Sequence, residues 1–93
     1  MPSFRSTPVD LVIDVRSRLE FWLGHLDGAT CIPVGRLAEA LPKRGDVTPD
    51  TRILVYCASG ARSAVAAGVL KSLGYRKVRD GGGIGEARTN YVP

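Results

Sequence analysis

Three observations predict an α/β fold built around a mainly parallel sheet. Short β-branched apolar runs alternate with stretches of helical period along the chain. The strongest run, Thr51–Tyr56, is apolar over most of its length, as a strand buried on both faces must be. The chain has 93 residues, enough for one domain spanning 1–93 and too few for two.

Each element follows from a local signal. Residues 1–8 carry two prolines among Ser, Thr and Arg, and read as a loose lead-in. Val9–Ile13, ending at Asp14, reads as the first clear strand. Ser17-Arg18-Leu19-Glu20 fits a capping box, so a short helix is expected from Arg18 to Leu23 with Leu19, Trp22 and Leu23 turned inward and Gly24 as its stop. Thr30–Pro33 reads as a second short strand closed by proline. Arg36–Leu41 reads as a helix with Leu37, Ala38 and Leu41 on one side, and Pro42–Asp50 as a loop. After Thr51–Tyr56, a helix is expected from Arg62 to Leu73, because Val65, Ala66, Val69, Leu70 and Leu73 recur at helical spacing and Gly74 follows. Lys77–Arg79 should be a short strand, Gly81-Gly82-Gly83 a flexible turn, and Ile84–Arg88 a last short helix.

Composition narrows the function. Thirteen Lys and Arg against nine Asp and Glu give a net charge of +4, but the cations are scattered, which argues against a nucleic-acid partner. No apolar signal core or long apolar run is present, so a soluble, cytoplasmic protein with no membrane partner is expected. Cys31 and Cys57 are too few for a disulfide scaffold, and with His25 the only histidine no metal-ligand spacing exists. No metal or cofactor is expected.

The segment that carries chemistry is Cys57-Ala58-Ser59-Gly60-Ala61-Arg62-Ser63. It follows a buried strand, at the sheet edge where open α/β folds bind ligands. Its small residues leave backbone N–H groups free to turn inward, and Gly60 can take a positive φ at little cost. Inward amides and a helix N-terminus favour thiolate over thiol and make a cradle for anions. Arg62 adds a fixed positive charge, and Ser63 can cap the helix or give its hydroxyl to the loop. The bland alternative is a buried core cysteine. The residues alone leave open which chemistry such a thiolate performs.

A resemblance to a known family answers that. Cys57-x-x-Gly60-x-Arg62-Ser63 resembles the active-site loop of single-domain rhodaneses. Asp14-Val15-Arg16 with Glu20-Phe21, and Gly24-His25-Leu26-x-Gly28-Ala29 with Ile32-Pro33, resemble two further motifs of that family. Ala66-Ala67, Leu70, Gly74-Tyr75, Val78 and Gly82-Gly83 follow in order, so the likeness spans Leu11 to Gly83.

The resemblance implies a three-layer α/β sandwich, its central sheet flanked by helices on both faces. It also implies sulfur transfer through a Cys57 persulfide, from a small anionic donor such as thiosulfate to cyanide, a cellular thiol or a partner protein. The loop Ala58–Ser63 would bind the persulfide, Arg62 would orient the donor, and Asp14 and Arg16 would support the site. Asp14 and Arg16 are read as a structural ion pair, and His25 as a residue that holds loops together. The related phosphatases have one residue more between Cys and Arg than the four between Cys57 and Arg62. That sets phosphatase and arsenate-reductase chemistry below sulfur transfer. Two more functions compete with it: a persulfide carrier loaded by partner proteins, and a redox sensor pairing Cys57 with Cys31. Cys31 is read first as a small buried residue, and Phe21 and Trp22 as core or rim packing.

Two departures from the family are visible. The strand and helix before Leu11 are missing or reduced, which predicts an exposed or partner-covered sheet edge. Ala87 stands where the family has Trp, which is expected to loosen the last helix.

Overall fold

Strand Arg52–Cys57 is the centre of the molecule: every residue from Ile53 to Cys57 is buried. Its side chains alternate between two cores, as the period of two along a strand requires. Ile53, Val55 and Cys57 face one, while Leu54 and Tyr56 face the other. The computed structural model describes all residues from Met1 to Pro93.

In chain order the elements are β1 (Ser3–Phe4), β2 (Thr7–Pro8), β3 (Leu11–Asp14), α1 (Arg18–Trp22), β4 (Thr30–Cys31), α2 (Leu37–Ala40), β5 (Arg52–Cys57), α3 (Ala61–Ser72), β6 (Lys77–Gly83), α4 (Ile84–Asn90) and β7 (Tyr91–Val92). Turns of 3-10 helix flank α2. A four-stranded sheet runs in the order β4-β3-β5-β6, with every neighbouring pair parallel. Leu37, Leu41, Ala66, Ala67 and Leu70, on and beside α2 and α3, pack on one face with Ile13, Val15 and Cys57. Ala87 of α4, Phe4, Val9 and Leu26 pack on the other with Val12, Leu54 and Tyr56. The result is the three-layer α/β sandwich. No helix is long and apolar enough to cross a membrane.

The structure corrects several expectations. Residues 1–8 are not loose. They form a β-hairpin that pairs with β7 in a second, antiparallel sheet of order β2-β1-β7, and Phe4 is buried there. The hairpin turns at Arg5 and Ser6, both at positive φ, so the usual glycine or asparagine signal is missing. The face of α1 expected inside is outside: Leu19, Trp22 and Leu23 are 65%, 78% and 72% exposed. This helix is one turn long, is held by its polar groups, and buries none of its residues.

In α3, Val65 is exposed and Ala67 is buried in its place; in α2, Ala38 is exposed. The second strand stops at Cys31, and Pro33 instead leads into the 3-10 turn before α2. Gly81-Gly82-Gly83 is no flexible turn but the end of β6, where Gly83 is the Cα partner of Cys57 after a register shift. Close approach explains the glycines: a Cβ on Gly81 would lie 3.1 Å from Leu54 Cδ1 and 3.2 Å from Val55 O. The last helix reaches Asn90, and Ala87 within it is fully buried.

Candidate active site

β3, β4, β5 and β6 are parallel, so their C-terminal ends share one edge of the sheet, and Cys57 is the last residue of β5 there. The chain then turns through Ala58-Ser59-Gly60 into α3. Gly60 stands at φ +105°, the left-handed region, which aims its N–H back at the cysteine. That N–H donates to Cys57 Sγ at 2.9 Å.

Burial pushes the Cys57 thiol up. Hydrogen bonds from the Ser63 hydroxyl and from the backbone N–H groups of Ser63, Gly60 and Ser59 outweigh it, so the net shift is toward thiolate. The Ser63 hydroxyl has a single proton and more than one acceptor within reach. In the geometry seen it donates to Gly60 O at 3.1 Å, which braces the loop. Gly60 is the N-cap of α3, so Ser63, fully buried in the first turn, serves the loop and not as a cap. Ala58, Ser59 and Ala61 form an exposed rim, while Cys57 itself has no exposed surface.

Arg62 is not aimed at the sulfur. Its Nη1 and Nη2 donate to Glu20 Oε1 and Oε2 at 2.7 and 2.9 Å. The Arg62 guanidinium and the backbone N–H of Ser17 hold the Glu20 carboxyl down at about 2. Glu20 completes the capping box of α1 at the same time, accepting from Ser17 N–H at 3.0 Å while Ser17 Oγ accepts from Glu20 N–H at 3.2 Å. The sequence placed Glu20 in the cap and in a family motif, but gave no link to Arg62. Its position just after β3, on the same sheet edge as Cys57, was the available signal.

Asp14 and Arg16 lie on the opposite face from Cys57. Asp14 is the Cα partner of Tyr56, whose ring belongs to the second core. Arg16 Nε and Nη2 clasp the buried Asp14 carboxylate at 3.0 and 2.7 Å, and Arg16 N–H donates to Asp14 Oδ1 at 2.9 Å. Nη2 also donates to Gly24 O, and the guanidinium lies 5.7 Å from the Tyr56 ring centroid. Tyr56 Oη in turn accepts from Leu26 N–H at 3.0 Å. This network pins the 24–26 segment to the strand that ends in Cys57. It makes no hydrogen bond to the sulfur.

His25 is exposed. Its Nδ1 lies 2.8 Å from Phe21 O and its ring stacks on Phe21 at 3.7 Å. Trp22 is neither core nor rim. Cys31 is half-buried, and its thiol is pushed up by burial and by Asp14. Cys31 and Tyr56 are both partners of Asp14 across two strand spacings, which puts their Cα atoms roughly 10 Å apart. Cys57 is one residue further on, so a Cys31–Cys57 disulfide would need the backbone to move. No three His, Cys, Asp or Glu side chains gather to hold a metal. The largest surface depression, of about 230 Å³, lies at the opposite end of the sheet beside Arg52 and Lys77, so cavity size does not mark this site.

A buried cysteine whose sulfur accepts a backbone N–H, at the C-terminal edge of a parallel sheet, is what sets this edge of the fold apart. The chain belongs to the rhodanese-like domain family, whose model matches residues 4–83. It is 36% identical over 86 residues to a tRNA uridine(34) hydroxylase from Escherichia coli, covering 87% of this chain and 25% of that protein. The chain thus spans about a quarter of the length of the curated relatives it matches. Among solved structures, a rhodanese with anions from E. coli is 30% identical with a TM-score of 0.71, over 88% of this chain and 95% of that one. The human single-domain sulfurtransferase TSTD1 is 29% identical with a TM-score of 0.68, over 84% and 77%.

Proposed function

We propose that this domain is a sulfurtransferase that carries sulfane sulfur as a persulfide on Cys57. The observation that carries the reading is the Gly60 N–H set 2.9 Å from Cys57 Sγ inside a loop whose other amides also favour the anion. The Cys57 thiolate attacks the outer sulfur of a donor such as thiosulfate. A new S–S bond forms, the donor S–S bond breaks, and sulfite leaves with the electron pair. The loop amides then stabilise the terminal persulfide sulfur as they do the thiolate. Cyanide or a thiolate attacks that terminal sulfur and returns Cys57 to thiolate. Cys57 acts as nucleophile, Ala58–Ser63 as the binding loop, and Asp14 and Arg16 as supports. No general base is needed, because attack starts from the thiolate. The cytoplasm, where thiols stay reduced, suits this chemistry.

The small exposed rim of Ala58, Ser59 and Ala61 favours a second reading, a carrier whose persulfide is loaded and unloaded by partner proteins.

Intact mass after thiosulfate, then after cyanide, tests the proposal on wild type and Cys57→Ser. The expected result is one added sulfur on wild type only, released as thiocyanate. An equal gain on Cys57→Ser would refute the assignment. A folded, reduced wild type that takes no sulfur from thiosulfate would leave the partner-loaded carrier.

A further inference from the structure

The cation expected to draw an anionic donor into the cradle is already occupied. Both terminal nitrogens of Arg62 are bound to the two oxygens of Glu20, in the fork-to-fork geometry that gives the strongest Arg–carboxylate pairing. Arg62 is the second residue of α3, the helix into which the Cys57 loop runs. With Glu20 ionised at any working pH, the pair brings no net charge to the mouth. Arg18, two residues before Glu20 on α1, is exposed. A dianion approaching a Cys57 thiolate therefore meets, at the loop's one cation, a carboxylate that already engages it. A monoanion or neutral reagent meets far less repulsion. The pair is partly exposed, at 40% and 33% for the two side chains, so the effect is screened but local.

We propose that Glu20 is a specificity-determining residue of this cradle. By engaging both arms of Arg62, it cancels the attraction for dianionic donors and turns the site toward sulfur donors of lower charge, namely organic persulfides and thiosulfonates. The inference rests on the sulfurtransferase reading above. Thiosulfate and methanethiosulfonate offer the same transferable sulfur and differ by one charge. Thiolate attack on either makes the Cys57 persulfide, with sulfite leaving in one case and methanesulfinate in the other.

Glu20→Gln removes the charge and keeps an oxygen to accept from Ser17 N–H, so the cap of α1 survives. Glu39→Gln is the control: it makes the same change in net charge at an exposed residue paired only with Lys43. Two readouts are taken on each variant. One is the ratio of kcat/KM for thiosulfate over methanethiosulfonate. The other, which needs no sulfur transfer, is the ratio of Cys57 alkylation rates with iodoacetate and iodoacetamide, followed by peptide mass. In Glu20→Gln both ratios should rise about three- to tenfold, the first mainly through a lower thiosulfate KM. Glu39→Gln should leave both unchanged.

Unchanged ratios in Glu20→Gln, or equal changes in Glu39→Gln, overturn the proposal. A shifted alkylation ratio in a protein that transfers no sulfur would sink the proposed function and leave Glu20's action standing. If Glu20→Gln does not fold, Arg62→Gln tests the pair from its other side. The unbalanced Glu20 carboxylate should then lower the iodoacetate ratio, and no drop would overturn the proposal.

Discussion

Adding one methyl group to Gly83 should disable the cradle from beneath. Gly83 has φ −73° and ψ 156°, so alanine meets no backbone strain there and the effect is purely steric. A Cβ at this position would lie 2.7 Å from Ala58 O, 3.3 Å from Ala58 C and 3.2 Å from Ser59 Cα. Comfortable contact needs more than 3 Å, so the neighbours must retreat by about 0.5 Å or more. All of them are backbone atoms of the loop that holds Cys57. Relief therefore displaces the amides that favour the thiolate, and the Gly60 N–H to Sγ bond at 2.9 Å has little room to lengthen.

Overpacking of this kind costs about 1–3 kcal/mol. For a chain of this size that lowers the melting temperature by roughly 5–20 °C. Gly85→Ala is the matched control. Gly85 lies in α4, and a methyl added there would have nothing within 4 Å, so alanine should stabilise by about 0.5–1 kcal/mol. The assays are denaturant unfolding and the pH dependence of Cys57 alkylation by iodoacetamide. The expected outcome is opposite signs for the two variants in stability, with the alkylation profile moved to higher pH only in Gly83→Ala. A Gly83→Ala protein as stable as Gly85→Ala, with an unmoved profile, refutes the reasoning.

Two further predictions concern what holds the site up. Arg16→Met should cost about 3–5 kcal/mol, because it leaves the fully buried Asp14 carboxylate without its ion partner. Adding Asp14→Asn should recover much of that loss in urea titrations, and no recovery would mean that Arg16 acts through packing alone. Acid should also destabilise the fold through Asp10 and Glu20, each held down to about 2, by Arg52 and Arg62 respectively, from ordinary values of 3.8 and 4.5. A carboxylate lowered in the folded state stabilises above its unfolded value, and that contribution is lost as pH falls through the folded one. Melting temperature should therefore decline from about pH 4.5 toward pH 2, less steeply in Asp10→Asn; an equal slope in that variant would remove Asp10 from the account.

Local signals carried much of this molecule. The alternation of strand and helix, the capping box at Ser17–Glu20, the central strand ending in Cys57 and the positive φ of Gly60 each depend on neighbours within a few residues, and each was legible in the chain. So was the likeness of the Cys57–Ser63 loop to a rhodanese loop. The tertiary structure decided what depends on partners distant in sequence. Phe4 is buried because the N-terminal hairpin pairs with β7 across almost the whole chain. Leu19, Trp22 and Leu23 are exposed because no layer covers α1, although their spacing reads as an inward face.

Gly83 belongs to a strand because the backbone must pass close under the Ala58 carbonyl. Asp14 and Arg16 lie on the opposite face of the sheet from the cysteine, a consequence of strand register and alternation together. Arg62, which its place in the loop assigns to the donor, is instead bound by Glu20 from another element 42 residues away. Sequence alone determines which side chains can make a thiolate cradle, because helix caps, loop amides and strand period are local. Which charges face that cradle depends on how distant elements pack, and only the folded chain decides it.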